Sequence, residues 1–318
     1  MLKAYLHRED TTASIVAVSL FIAVFAGAWD VWWHGFLGRE SFWSPPHLLL
    51  YLSVIIAIVT GLFAWRIHKK GLWKWLGLVL LLVPLSAPFD ELWHRVFGVE
   101  ETASVLVLWS PPHVALILSI LVAFVLLLPL LRKYEDITKR RLFSALSLAG
   151  IFSLMSILVQ PFEPLGPWHL VGFWGAGIMS FVVVVALSFS SQYLSGFGRA
   201  TFVSFVLIVL TSIGFTEATN AAAIDFLPHA HAPGWLIILS LLLPAVFLDF
   251  RRAPQLWSAG CAGLISGGVL YGFSTFFIEP AFRYGFAEVA VVLIASFIGG
   301  LLAGVASSRL LATNMFKM

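Results

Sequence analysis

Charge and cysteine are what this sequence has least of. Only 11% of its 318 residues are Asp, Glu, Lys or Arg, against about 25% in an ordinary water-soluble domain. So little charge argues against a soluble chain. The single Cys261 falls inside an apolar run, which excludes a disulfide framework and a cysteine-based zinc site. Period-two alternation of apolar and polar residues is missing, so an outer-membrane β-barrel is excluded as well. There is no Gly-rich phosphate loop in the right context, no nucleophile elbow and no zincin motif.

What the chain does have is apolar length. Apolar residues make up 60% of it, with 28 Phe and 13 Trp. Runs of about 20 such residues recur throughout, each long enough to cross roughly 30 Å of hydrocarbon as a helix. The fold class expected is therefore all-α, a polytopic membrane helix bundle. Ten spans are expected, near 12–34, 45–66, 73–95, 110–131, 142–161, 167–190, 200–221, 232–249, 256–279 and 286–308. No linker is long or polar enough to mark a second domain, so residues 1–318 are expected to form one integral membrane domain. The polar stretch Met1–Thr12 enters the first span without a small-residue cleavage site, and that helix is expected to be retained.

The charges that do occur are sorted by side. With the N-terminus placed in the cytoplasm, all of the 19 Lys and Arg except Arg39, Arg95 and Arg283 fall in cytoplasmic segments. The positive-inside rule then predicts both termini inside. A net charge of +3 spread over such short loops points to a lipid bilayer and not to nucleic acid. Histidine follows the opposite bias. His34, His47, His94, His113, His169, His229 and His231 all fall at outer helix ends or in outer loops. The expected location is a cytoplasmic membrane of prokaryotic type, with its titratable groups on the extracytoplasmic face.

An internal repeat accounts for part of that bias. Asp30-Val-Trp-Trp-His34 is followed by Trp43-Ser-Pro-Pro-His47, and Asp90-Glu-Leu-Trp-His94 by Trp109-Ser-Pro-Pro-His113. Weaker echoes follow at Glu163 with Pro167-Trp-His169, at Glu217, and at Glu279 with Pro280. Five hairpins of one ancestral type are expected, near 12–66, 73–131, 142–190, 200–249 and 256–308.

The repeated motif carries chemistry. Asp30 and His34 are four apart, so on a helix they share a face. Ser44 reads as an N-cap, with Pro45 and Pro46 in a first turn where a missing N–H is harmless. His47 then opens the next helix at nearly the depth of His34. Asp90, His94, Ser110, Pro111, Pro112 and His113 repeat the pattern, with a connecting loop six residues longer. Two imidazoles and a carboxylate suit zinc, copper or non-haem iron, and a divalent ion would neutralise a carboxylate that is costly to bury alone. Two plainer readings compete. The Trp and His can be interfacial belt residues, or the Asp and His can hydrogen-bond across the hairpin and bind nothing.

Weaker candidates lie downstream. His169 takes the position of His47, with Glu163 as its helix-end partner. Asp225, His229 and His231 surround Pro228, which argues for a loop; the readings are a third metal, a contribution to a shared one, or a loop that is simply solvated. The basic turn Arg132–Arg141 reads as a solvated loop.

With Asp30, Trp33, His34, Phe42, Ser44, Pro45, His47 and Tyr51 in place, the first motif resembles the C subunit of the copper membrane monooxygenases. These are the particulate methane and ammonia monooxygenases, with the pattern Asp-x3-His-x12-His. The resemblance is confined to this stretch. It implies copper held by Asp30, His34 and His47 at the outer membrane edge. Through the internal repeat, Asp90, His94 and His113 are expected to form a second site. It further implies an oxidoreductase subunit, accompanied by other membrane subunits and acting on a small apolar substrate that arrives from the bilayer. Two alternatives remain: a non-catalytic metal carrier or transporter, and a zinc-dependent membrane hydrolase using Glu91 or Glu163 as base.

Overall fold

Apolar helices with no water to bond their backbones must satisfy every N–H and C=O internally, and the described residues do this with helices. The computed structural model describes residues 8–37, 43–69, 71–97, 110–159, 172–194, 198–206, 234–251, 256–272 and 285–313, and no strand occurs among them. Among the described residues six helices are long and apolar enough to cross a membrane: Glu9–Asp30, Pro45–His68, Gly71–Phe97, Pro111–Leu131, Gly175–Tyr193 and Phe286–Ala312. Each coincides with an expected span. Ile137–Val159 is a helix on the expected fifth span but is not among those six, and its first turn carries Lys139 and Arg140. Ile238–Phe250 and Leu256–Tyr271 are shorter apolar helices. Most of the expected span 200–221 lies outside the described residues.

The chain divides into two compact units, Met1–Leu154 and Met155–Met318. The first contains α1 (Glu9–Leu37), α2 (Pro45–His68), α3 (Gly71–Leu80), α4 (Leu82–Phe97) and α5 (Pro111–Leu131), and α6 (Ile137–Val159) begins in it. Helix α1 packs on α2 and α5, α2 on α3, and α5 on both α3 and α4. The buried face of α2 carries Leu50, Ser53, Val54, Ala57, Ile58, Gly61 and Ala64, recurring at helical spacing. Its opposite face exposes Leu48, Leu52, Ile55, Ile56 and Val59. A helix apolar on both faces and exposed on one is built for hydrocarbon.

Between α2 and α3 the contact is reciprocal. A Cβ on Gly61 would stand 2.9 Å from Leu76 Cδ2, and one on Gly77 would stand 2.7 Å from Leu62 Cδ2. Each leucine fills the space left by the other helix's glycine. The break at Leu81, between α3 and α4, follows from Pro84. Its ring has no N–H to offer and crowds the carbonyl four residues earlier, on Leu80.

The basic end of this unit is tied by two aromatic side chains. Buried Trp73 donates its indole N–H to Glu9 Oε1 at 3.0 Å and stacks on His68. Tyr134 is buried in the turn after α5. Its hydroxyl donates to the Asp10 carbonyl oxygen and is in hydrogen-bond contact with Ser14 Oγ. The turn Arg132–Arg141 is therefore not wholly solvated, because Tyr134 anchors it to the start of α1. Burial raises the Tyr134 pKa above its ordinary value, although the Ser14 hydrogen bond works against that.

The second unit holds α7 (Gly172–Tyr193), α8 (Gly234–Phe250), α9 (Leu256–Gly267) with a π-helical turn at Gly268–Gly272, and α10 (Phe286–Ala312). Helix α10 packs on α7 and α9. Its buried stripe is Val292, Ala295, Ser296, Gly299, Gly300, Ala303, Gly304 and Ser307. Small residues let backbones close to contact where lipid provides no hydrophobic drive for association. A Cβ on Gly299 would overlap the Gly177 carbonyl, and one on Gly300 the Ala259 carbonyl. Elsewhere in this unit Asp249 accepts from the Ala200 and Thr201 N–H groups at 3.0 and 2.9 Å. A carboxylate thereby caps the helical segment 199–206.

Two measurements check these assignments. Gly299→Val, which meets backbone and not a movable side chain, should lower stability by about 1–3 kcal/mol or more. Gly71→Ala, with nothing within 4 Å, should be neutral or slightly stabilising, as read by loss of the monodisperse gel-filtration peak on heating. For Tyr134, the unfolded chain loses its phenolic proton near pH 10 while the folded chain keeps it, so stability falls as pH rises above about 10. Tyr134→Phe should be less stable by about 1 kcal/mol near neutrality. The gap should narrow above about pH 10 in thermal unfolding.

Candidate metal centre

Two pairs of consecutive helices end in the same arrangement. Asp30 lies near the end of α1, and His47 is the third residue of α2. The Nε2 atom of His47 is 3.1 Å from both carboxylate oxygens of Asp30. In the second pair, Nε2 of His113 on α5 is 3.2 Å from Oδ1 of Asp90 on α4. The side chains are mostly enclosed: 15% and 20% exposed for His47 and Asp30, 28% and 20% for His113 and Asp90. A carboxylate and an imidazole so placed are drawn together in a medium with little water to screen them.

The local sequence explains how each histidine is presented. Ser44 precedes α2 with φ −57° and ψ 150°, and Ser110 precedes α5 with φ −59° and ψ 144°. Pro follows at the first two helical positions in both. The first helical bonds then run from Leu48 N–H to the Ser44 carbonyl at 3.0 Å and from Val114 N–H to the Ser110 carbonyl at 2.9 Å. Both serines thus start their helices through the backbone, as expected.

Their hydroxyls do not. Neither makes a side-chain cap bond, because proline removes the donors at the first two positions and leaves only the histidine N–H in range. Ser44 is 5% and Ser110 2% exposed, and both Oγ atoms are buried without a hydrogen-bond partner. The indole N–H of Trp33, one turn beyond Asp30, is in the same condition. By residue type Ser44 and Ser110 read as caps and Trp33 as a belt residue, but Pro-Pro directly after Ser leaves the hydroxyl little to cap.

The two sites are not identical in their surroundings. His47 stacks on Tyr51 with ring centroids 5.9 Å apart. Trp29 and Trp33 meet edge to face at 6.0 Å, and Trp93 lies 4.3 Å from Phe97. On α4, Glu91 accepts from Arg95 Nε at 2.9 Å, so the carboxylate considered as a hydrolytic base is committed to a neighbouring guanidinium.

The remaining site residues divide as follows. The backbones of His34 and His94 are helical, one turn after Asp30 and Asp90, while their side chains lie outside the described residues. Glu163, His169, Asp225, His229 and His231 also lie outside the described residues. Among the described residues no group of three His, Cys, Asp or Glu side chains is gathered. The two Asp–His pairs are what is brought together.

No family model, curated protein or solved structure matches the chain.

Each pair also ties one helix to the next. Asp30→Ala and Asp90→Ala should each destabilise the detergent-solubilised protein by about 1–3 kcal/mol, the range for stranding a buried polar partner. Thermal unfolding monitored by Trp fluorescence reads this, and no change in either variant would deny the pair a role in holding the helices.

Proposed function

We propose that this integral membrane protein binds a transition metal, copper, at two Asp/His/His sites, Asp30–His34–His47 and Asp90–His94–His113. The observation that carries the reading is the duplicated carboxylate–imidazole separation of 3.1 and 3.2 Å. Two donor atoms on one ion, each at about 2.0–2.1 Å, stand about 2.9–3.4 Å apart at bond angles between square and tetrahedral. His34 and His94 follow their aspartates by one turn, so a third donor can reach the same end of each helix. Buried hydroxyl and indole donors without partners, at Ser44 and Ser110 three residues before each histidine and at Trp33 three after Asp30, add unsatisfied polar groups to the same stretches of chain.

The finer architecture belongs to the same reading. Ten spans in five hairpin repeats, with both termini in the cytoplasm, put both sites at the extracytoplasmic face. Asp30 and Asp90 would be the hard, charge-neutralising donors, and the histidines the borderline ones. Trp29, Trp33 and Tyr51 would limit water at the first site, and a small apolar substrate would approach through the bilayer. Bound copper would supply one-electron redox chemistry toward dioxygen, as the likeness to copper membrane monooxygenase C subunits implies.

A second reading has its own observation. The same 3.1 Å separation is a hydrogen-bond distance, so the pairs would serve as helix locks that hold no metal. Metal analysis of the purified protein separates the two. The metal reading expects copper near two per chain, falling to about one in Asp30→Ala or Asp90→Ala and to none in the double variant. A metal-free, well-folded protein after growth and purification with copper would leave the lock.

A further inference from the structure

Between Glu40 and Asp90 the chain has no carboxylate, yet it places Arg66, Lys69, Lys70 and Lys74 around the connection from α2 to α3. Glu9 of α1 comes to this connection at Trp73, whose indole it accepts on the buried side of α3. Lys74 and Trp75 follow and are exposed. Among the described residues Lys74 is in no ion pair. Two indoles hold its ammonium instead. The Nζ atom lies 5.9 Å from the ring centroid of Trp65, in the last turn of α2, and 5.8 Å from that of Trp75. Both separations are within the roughly 6 Å at which a ring face attracts a cation. Trp65 is 38% and Trp75 58% exposed, so the cation stands on open surface between an indole from each helix. A ring attracts the ammonium without neutralising it, and a full positive charge remains for another partner.

The surface beside this charge is apolar. Leu78 is exposed one turn beyond Lys74 on the same face of α3, since residues four apart are neighbours on a helix. Ile55 and Val59 are exposed farther along α2. A water-soluble anion gains nothing from such a surface, whereas a lipid joins a charged phosphate to hydrocarbon chains. Tryptophan concentrates at the headgroup level of a bilayer, and lysine carries its ammonium to that level on an apolar stem. We propose that Lys74, set between Trp65 and Trp75, binds the headgroup of one anionic phospholipid whose acyl chains lie along the exposed apolar surface of α2 and α3. The phosphate oxygens accept from the ammonium, and the two indoles are positioning residues that fix where it stands. Arg66, beside Trp65 in the chain and also exposed, adds charge of the same sign. A zwitterionic choline headgroup is disfavoured, because its own cation is repelled by Lys74. The site is independent of any metal at the Asp–His pairs.

The test uses the full chain, delipidated in detergent and titrated with dioleoyl phosphatidylglycerol or dioleoyl phosphatidylcholine. Native mass spectrometry counts the lipids retained. The unaltered protein should hold one phosphatidylglycerol about tenfold or more tighter than phosphatidylcholine, as expected for hydrogen bonds between charged groups. Lys74→Gln should abolish that preference and leave the gel-filtration peak in place, since the side chain is exposed. Lys74→Arg, which keeps the charge, should keep the preference. Trp65→Leu and Trp75→Leu, which release the ammonium without removing it, should each weaken the preference by a smaller factor. Lys139→Gln is the control, because Lys139 is exposed but already paired with Asp136 at 3.8 Å, and it should leave the preference unchanged. Equal retention of the two lipids by the unaltered protein overturns the proposal, as does a preference that survives Lys74→Gln. A loss of equal size in Lys139→Gln overturns it in favour of diffuse charge attraction. Displacement of the lipid by millimolar inorganic phosphate overturns it in favour of a free anion.

Discussion

A carboxylate at the end of an apolar helix must be bonded or neutralised, because hydrocarbon offers it nothing. In the unit Met1–Leu154 that requirement is met twice by an imidazole from the next helix, His47 for Asp30 and His113 for Asp90. The rest of the local structure serves this contact. Serine and two prolines start the second helix at a defined residue, so the histidine emerges on its first turn. Elsewhere in the unit, Trp73 on Glu9 joins α3 to α1, and Tyr134 on Asp10 and Ser14 joins the turn after α5 to α1. These ties, with small residues and leucines between helices, set the depth at which the Asp–His pairs stand.

The second unit is held on another principle. Its described helices are joined by glycine, alanine and serine, and backbones touch at Gly177, Gly263, Gly299 and Gly300. Packing of this kind brings backbones into contact, and where the stripe widens Tyr271 is buried against Ala176 and Val292. Apart from Trp and Tyr, the buried side chains with polar atoms among the described residues are Ser or Thr, which can return a hydrogen bond to their own helix. Carboxylates in both units are bonded to groups at the start of another helix, as with His47, His113 and the Asp249 cap.

Much of this was legible beforehand, for identifiable reasons. Apolar runs of membrane length announce helices directly, and Pro45, Pro46, Pro111 and Pro112 mark helix starts that the structure reproduces at the same residues. The pairing of Asp30 with His47 followed from a motif repeated in register. Other features were not visible. The break at Leu81 needed Pro84 to be weighed within a span that reads as uniformly apolar. The basic turn looked solvated because charge dominates it, while the single Tyr134 that anchors it carries no pattern. The serines were read as caps because the residue type suits capping, and the consequence of removing both following N–H groups appeared only with the geometry.

The sequence by itself determined the solvent, the secondary structure and the positions at which carboxylates and imidazoles sit along the chain. Each of these depends on local composition and spacing, which the backbone periods convert into faces and ends. Tertiary structure alone decided which oxygen meets which nitrogen, and that Ser44 and Ser110 are enclosed yet unbonded. Such facts depend on helices brought together from distant positions, where a shift of one turn, about 5.4 Å, would part every pair.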